Sequence, residues 1–159
     1  MIWGALAGGL LGTIVLTTGL RLAQEVGWTR MDIPLLLGTV FTPRRSRAAA
    51  IGYAIHFLNG LIFSAFYGLV FVALDEAGWL LGAVLGFVHA LFAGGALVNV
   101  LLPAVHPRMG KPWTDARETP ILEPPGFLLM NYGRATVVVT VVLHVAYGAI
   151  VGAAAAAAG

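Results

Sequence analysis

Four long, unbroken apolar runs constrain the fold of this chain more than any other feature. A helix needs about 20 apolar residues to cross the roughly 30 Å of hydrocarbon in a bilayer, and each run reaches approximately that length. The runs are continuous rather than alternating, which indicates helices and excludes the strands of a membrane barrel. The sequence therefore predicts one all-α domain, a bundle of four transmembrane helices. The predicted spans are residues 2–20, 48–74, 79–102 and 135–158.

The composition is typical of an integral membrane protein. Of the 159 residues, 59% are hydrophobic and only 10% are charged, whereas soluble domains carry about 25% charged residues. This excludes an ordinary soluble globule and a disordered chain. The formal net charge of +2 is too small for a nucleic-acid binder. The chain has no cysteine, so disulfides, thiolate metal sites and cysteine nucleophiles are excluded as well.

The basic residues predict the orientation of the spans. All nine Lys and Arg residues lie in two segments, 21–47 and 103–134. The turn at residues 75–78 is acidic, and neither terminus carries a basic side chain. Because short loops rich in Lys and Arg stay in the cytoplasm, we expect both basic segments to be cytoplasmic loops. Both termini then lie on the outer side of the membrane.

Each cytoplasmic loop has its own predicted structure. In the first loop, Asp32 is placed to cap a helix that has Pro34 in its first turn. The apolar run 33–41 is too short to span, so we expect a short interfacial or re-entrant helix there. The second loop is rich in proline and should be irregular. Its residues 127–132 either lie along the interface or extend the fourth span inward.

Three histidines lie inside the predicted spans, and each occupies the small, polar face of its helix. They are His56, His89 and His144, with Asn59 on the face of His56 and Tyr147 beside His144. Three hypotheses fit this pattern: hydrogen bonds between helices, a metal or haem site with imidazole ligands, and a path for protons or ions. All three stay open, because the order of the helices decides whether the histidines meet.

A second group of polar residues is expected at the cytoplasmic face. It would form a basic rim over anionic lipid, a site for a lipid head group or substrate, or a docking face for a partner subunit. Its main members are Asp32, His106, Arg108 and Arg134, and the loops add Arg44, Arg45, Lys111, Asp115, Arg117, Glu118 and Glu123.

The motifs of serine hydrolases, zinc peptidases and nucleotide-binding enzymes are missing from the sequence. We therefore do not expect an enzyme. Glycines recur at helical spacing, as in Gly4, Gly8 and Gly12, and such stripes let helices of one chain or of several copies pack closely. The first hypothesis is an accessory subunit of a membrane complex or a homo-oligomeric scaffold. The alternatives are a cofactor-binding module and a small oligomeric transporter or channel.

Several short motifs resemble a family of small bacterial inner-membrane proteins that is described as a domain of unknown function. The motifs are Met31-Asp32-Ile33-Pro34 with Leu37-Gly38-Thr39, His56 with Gly60, and His144 with Tyr147 and Gly148. The resemblance implies four helices in a bacterial inner membrane, and it implies no activity, substrate or cofactor. The expected partners are the lipid bilayer and other membrane subunits or further copies of the chain.

The predicted orientation can be tested with single cysteines, because the chain has none of its own. We expect Glu76→Cys, in the outer turn, to react with a membrane-impermeant maleimide in intact spheroplasts. Arg44→Cys, in the first cytoplasmic loop, should react only after the membrane is permeabilised. The opposite labelling pattern would overturn the orientation.

Overall fold

The computed structural model describes residues 1–110 and 122–159, and most of these residues are helical. Four helices are long and apolar enough to cross a membrane, in agreement with the four predicted spans. A short α-helix and a 3₁₀ helix lie in the connections between them. The elements are α1 (Ile2–Glu25), α2 (Ile33–Gly38), α3 (Arg45–Leu74), α4 (Trp79–Val105), the 3₁₀ helix (Phe127–Tyr132) and α5 (Arg134–Ala157).

The long helices extend past the predicted spans at the ends that face the basic loops. Helix α1 continues beyond residue 20 to Glu25, and α3 begins at Arg45 rather than at residue 48. On the added turn of α1, Arg21 pairs with Glu25 at 3.2 Å across one turn, an arrangement that supports helices. A helix therefore continues where its apolar run stops, which hydropathy alone does not reveal.

Helix α5 packs between α1 and α4 through backbone contacts at glycine. A Cβ atom added at Gly82 of α4 would collide with the carbonyl oxygen of Gly148 on α5, and one at Gly148 would collide with Gly82. On the other side of α5, side chains at Gly4 and Gly8 of α1 would collide with Ala154. The predicted stripes of small residues thus pack against helices of the same chain.

Helix α3 packs on α1 but not on α4. Gly60 of α3 lies against Thr13 of α1, and Gly9 of α1 lies against Ser64 of α3. Around the bundle the order is therefore α3, α1, α5, α4. Helices α3 and α4 are joined by the tight turn at residues 75–78, yet they approach one another through side-chain rings rather than through close backbone packing.

The short helix α2 has the start that the sequence predicts. The side chain of Asp32 accepts a hydrogen bond of 3.0 Å from the backbone N–H of Leu35, which caps the helix. The helix ends at Gly38 rather than continuing to residue 41, and the Thr39 hydroxyl at its end donates to the Leu35 carbonyl at 2.7 Å. Helix α2 packs on the first turns of α3, where Gly38 contacts Ala48.

Helix α4 differs from the prediction in its second half. Residues Ala93–Leu101 form a π-helix, and the helix then continues through Pro103 to Val105. Pro103 lies just past the predicted span 79–102, and the structure places it inside the helix instead. Proline has no N–H to donate, and it lies where the wider π-helical pattern returns to an α-helical turn, so its missing donor falls at a change of hydrogen-bonding pattern.

The 3₁₀ helix corrects one of the two predictions for residues 127–132. It does not extend α5 inward, because Gly133 separates the two elements with a φ of +117°. Leu128 and Leu129 also have positive φ angles, of 48° and 68°. This turn places the Leu129 side chain in the interior, where it is buried.

Candidate functional site

A cavity of about 460 Å³ lies between α3 and α4, with α1 and α5 as its back wall. The cavity exists because α3 and α4 do not pack together between their ring contacts and the basic loops. Its volume falls in the range of pockets that take small organic ligands, about 300–1,000 Å³. All five intramembrane residues singled out from the sequence line it: His56, Asn59, His89, His144 and Tyr147.

The cavity has a polar end near the middle of the long helices and an apolar end toward the basic loops. At about 1.5 Å per residue, His56 lies roughly 16 Å from the start of α3, and His144 lies roughly 15 Å from the start of α5. Leucine, valine and methionine dominate the other end. The apolar lining includes Leu16, Leu20, Met31, Leu97, Leu101 and Leu129.

His89 joins α4 to the polar end through contacts with neighbouring rings. Its ring stacks on Phe63 with centroids 3.7 Å apart, and the hydroxyl of Tyr67 lies 3.2 Å from its Nδ1. The ring of His144 meets it edge-on, with the centroids 4.8 Å apart. Two of the three intramembrane histidines are therefore in direct contact.

The histidine and the tyrosine on α5 both use backbone carbonyls as partners. Nδ1 of His144 lies 2.8 Å from the carbonyl oxygen of Thr140, so this nitrogen carries the proton and Nε2 keeps a lone pair. The hydroxyl of Tyr147 donates to the Gly60 carbonyl of α3 at 2.5 Å. These two bonds fix the rings that form the back wall of the polar end.

Two buried polar atoms at the cavity have no hydrogen-bond partner among the residues that the structure describes. They are Nε2 of His56 and Oγ1 of Thr140, and Thr140 is only 6% exposed. Leaving a buried polar atom unpaired costs about 1–3 kcal/mol. Both residues line the same cavity, so a small rotation of each side chain would offer these two atoms as hydrogen-bond partners to a molecule bound there.

The metal and haem hypotheses find no assembled ligand set in this arrangement. Within residues 1–110 and 122–159, no group of three histidine or acidic side chains is arranged to hold a metal ion. Two imidazoles on opposite sides of one haem iron would have ring centroids about 6 Å apart, given Fe–N bonds of the length seen in other metal sites. The 4.8 Å between the centroids of His89 and His144 is too short for that.

Thr13, Phe63 and Thr140 also line the cavity, although they were not among the candidate site residues from the sequence. Thr140 lies one turn before His144 on the same helical face, and Thr13 lies opposite Gly60. The helical periodicity of the fourth span does place Thr140 on the face of His144. The parts played by Thr13 and Phe63 depend on the helix order, which the sequence does not contain.

The predicted cytoplasmic cluster divides into separate structural roles. His106 is 2% exposed, and its Nε2 lies 3.1 Å from the Thr39 hydroxyl and 3.2 Å from the Leu36 carbonyl. Arg108 donates to the Thr39 carbonyl at 2.6 Å. This His106 clamp ties the end of α4 to α2. Asp32 instead caps α2, Arg134 is exposed at the start of α5, and Lys111, Asp115, Arg117 and Glu118 lie outside the described residues.

A second cavity of about 550 Å³ lies at this face, and its charges are balanced. Arg30 pairs with Glu123 at 3.1 Å and donates to the carbonyl of Asn131. The Tyr132 hydroxyl donates to the Glu123 carbonyl at 2.7 Å, and burial, with the Glu123 charge, raises the pKa of Tyr132. The charged residues that line this second cavity are Arg21, Glu25, Arg30, Asp32, Arg45 and Glu123.

In comparisons with known proteins, no family, no curated protein and no solved structure matches the chain. The resemblance to the four-helix inner-membrane family therefore stays a prediction. A function for the chain has to be inferred from the cavity and its lining.

The His106 clamp predicts that acid loosens the first loop. Burial lowers the pKa of His106 below its ordinary 6.5, the bond to the Leu36 carbonyl acts in the opposite direction, and nearby Arg108 lowers it further. Nδ1 accepts the backbone N–H of Arg108 at 3.1 Å, so the folded chain holds neutral histidine. Unfolded His106 gains a proton first as the pH falls, so stability is full above about pH 6.5 and decreases below it.

We expect hydrogen exchange at residues 33–41, corrected for the intrinsic rate, to increase between pH 7.5 and pH 5 in the wild-type protein. His106→Asn cannot titrate, so its exchange at these residues should not change over the same interval. Equal protection of the wild-type loop at both pH values would contradict the clamp.

Proposed function

We propose that this chain is a multi-pass membrane protein that binds a lipophilic small molecule in the cavity between α3 and α4. The observation that carries the proposal is the pair of unpartnered buried atoms, His56 Nε2 and Thr140 Oγ1, at the polar end of an otherwise apolar cavity. Concave, mostly apolar pockets with a few convergent polar groups are typical of ligand sites. None of the described residues that line this cavity is charged.

The exposed rim of the cavity supports access from the lipid. Three of its lining residues are large, apolar and exposed, and all three lie on α4: Phe92, Leu101 and Val105. In a bilayer these side chains would face acyl chains. A ligand dissolved in the membrane could therefore enter sideways between α3 and α4 without crossing water.

The π-helix of α4 also supports a binding role. It forms one wall of the cavity over Ala93–Leu101. π-Helical segments are rare and occur often at functional sites. Here the π-helix lies where α4 does not pack closely on α3, and several of its residues line the cavity.

The other functions considered from the sequence have less support. The glycine stripes are filled by helices of the same chain, so they no longer argue for a neighbouring subunit. The roles of accessory subunit, oligomeric scaffold and transporter stay predictions. A location in a bacterial inner membrane, with both termini outside, belongs to the same proposal and rests on the distribution of basic residues and on the family resemblance.

Native mass spectrometry of the full chain, extracted gently from its own membrane, tests the proposal. We expect the wild-type protein to carry an additional lipophilic molecule in a fixed ratio. Ala93→Phe places a ring in the cavity, because Ala93 lines it, and should abolish the added mass. Ala96→Phe is the matched control, since Ala96 lies on the same π-helix but does not line the cavity.

A wild-type mass equal to the bare chain or a simple multiple of it, under the gentlest extraction, would contradict the proposed function. So would an added molecule that Ala93→Phe retains. Circular dichroism and the elution volume of each variant establish that the bundle is intact before the masses are compared.

A further inference from the structure

The geometry points to a more specific ligand: a neutral lipid whose head is a flat ring carrying carbonyl or hydroxyl oxygens, the chemistry of a membrane quinone. The head ring would lie at the polar end beside His56 and Thr140, with its tail toward the basic loops. This inference rests on the proposed function, because it assumes that the cavity holds a ligand.

The lining excludes a charged head group. No Asp, Glu, Lys or Arg is present among the described residues around the cavity. A phosphate, carboxylate or ammonium group placed at the middle of the helices would be desolvated without a counter-charge, which is very costly. Phospholipids and ionised fatty acids are therefore disfavoured, and a neutral head group fits.

Aromatic walls favour a flat head. Phe63, His89, His144 and Tyr147 all line the polar end, and the rings of Phe63 and His89 already stack at a centroid distance of 3.7 Å. Aromatic faces and edges gain energy from a further ring beyond the area that it buries. A branched or bulky head group would not use these walls.

The two unpartnered atoms favour oxygens on that ring. The Thr140 hydroxyl donates or accepts a hydrogen bond, and Nε2 of a neutral imidazole does one or the other according to its tautomer. A carbonyl oxygen accepts from either group, and a hydroxyl on the reduced ring donates to either. An oxygen-bearing ring can therefore satisfy both atoms, whereas a plain hydrocarbon satisfies neither.

The apolar end fits the tail. Between the rings and the basic loops the lining is aliphatic, and it extends along α4 to the exposed side chains of Leu101 and Val105. A tail that follows this route leaves the protein through the side of the bundle and continues among the acyl chains. Its length is then not limited by the cavity volume.

The test uses the full chain in nanodiscs of phosphatidylcholine and a benzoquinone with a two-isoprene tail, labelled with ¹³C at its carbonyls. Equilibrium partition gives the affinity, and infrared spectroscopy reports hydrogen bonding as a lowered carbonyl stretch. We expect saturable binding with a shifted carbonyl band. His56→Leu and the nearly isosteric Thr140→Val should each weaken binding about tenfold and reduce the band shift.

Thr17→Val is the matched control. The Thr17 hydroxyl donates to the Thr13 carbonyl at 2.6 Å, and Thr17 does not line the cavity. The Thr17→Val variant should therefore bind the quinone as the wild type does. Thr140→Val keeps the shape of the side chain, so it remains informative if His56→Leu does not fold.

Two outcomes overturn the inference, and they are distinguishable from failure of the proposed function. An alcohol with the same two-isoprene tail that binds as tightly as the quinone would show a lipid site without a preference for a ring. Quinone binding that is equal in the wild type, His56→Leu and Thr140→Val would place the molecule elsewhere. If neither probe binds and the native protein also carries no added mass, the proposed function fails as well.

Discussion

Close backbone contact at glycine between α5 and its two neighbours is the interaction on which the rest of the structure depends. Lipid supplies no hydrophobic drive for helices to associate, so packing across small residues has to hold the bundle together. Gly82 against Gly148 and Gly8 against Ala154 bring α4 and α1 onto opposite sides of α5. Helix α3 packs on α1, where Gly60 contacts Thr13. The side of α3 that faces α4 has no comparable backbone contact at small residues.

The cavity follows from that unequal packing. Because α3 and α4 are anchored to different partners, they meet through Phe63, Tyr67 and His89 near the middle of the two helices, and the cavity extends from these rings toward the basic loops. The π-helix of α4 and the inward Leu129 shape the space that remains. Three histidines from three helices line its polar end. At the end of the bundle that carries the basic loops, the His106 clamp ties the end of α4 to α2.

Hydropathy and local chemistry predicted the four long helices and the Asp32 cap, because both depend on residues close in sequence. The sequence also identified five residues that line the cavity, since a polar side chain in a span has to face protein. It did not reveal that these residues share one site, because helix order depends on glycine contacts between distant segments. The π-helix and the path of α4 through Pro103 were missed as well, because hydropathy predicts that a segment spans the membrane and does not predict its pattern of backbone hydrogen bonds.

The central claim is that a bound molecule, rather than collapsed protein, occupies the space between α3 and α4. A high-resolution density map of the chain in nanodiscs of its native membrane lipids tests this most directly. The account predicts elongated non-protein density that reaches His56 Nε2 and Thr140 Oγ1 at one end and the side of α4 at Leu101 at the other. Direct packing of α3 on α4 with no density between them, or ordered water alone at these two atoms, would contradict it.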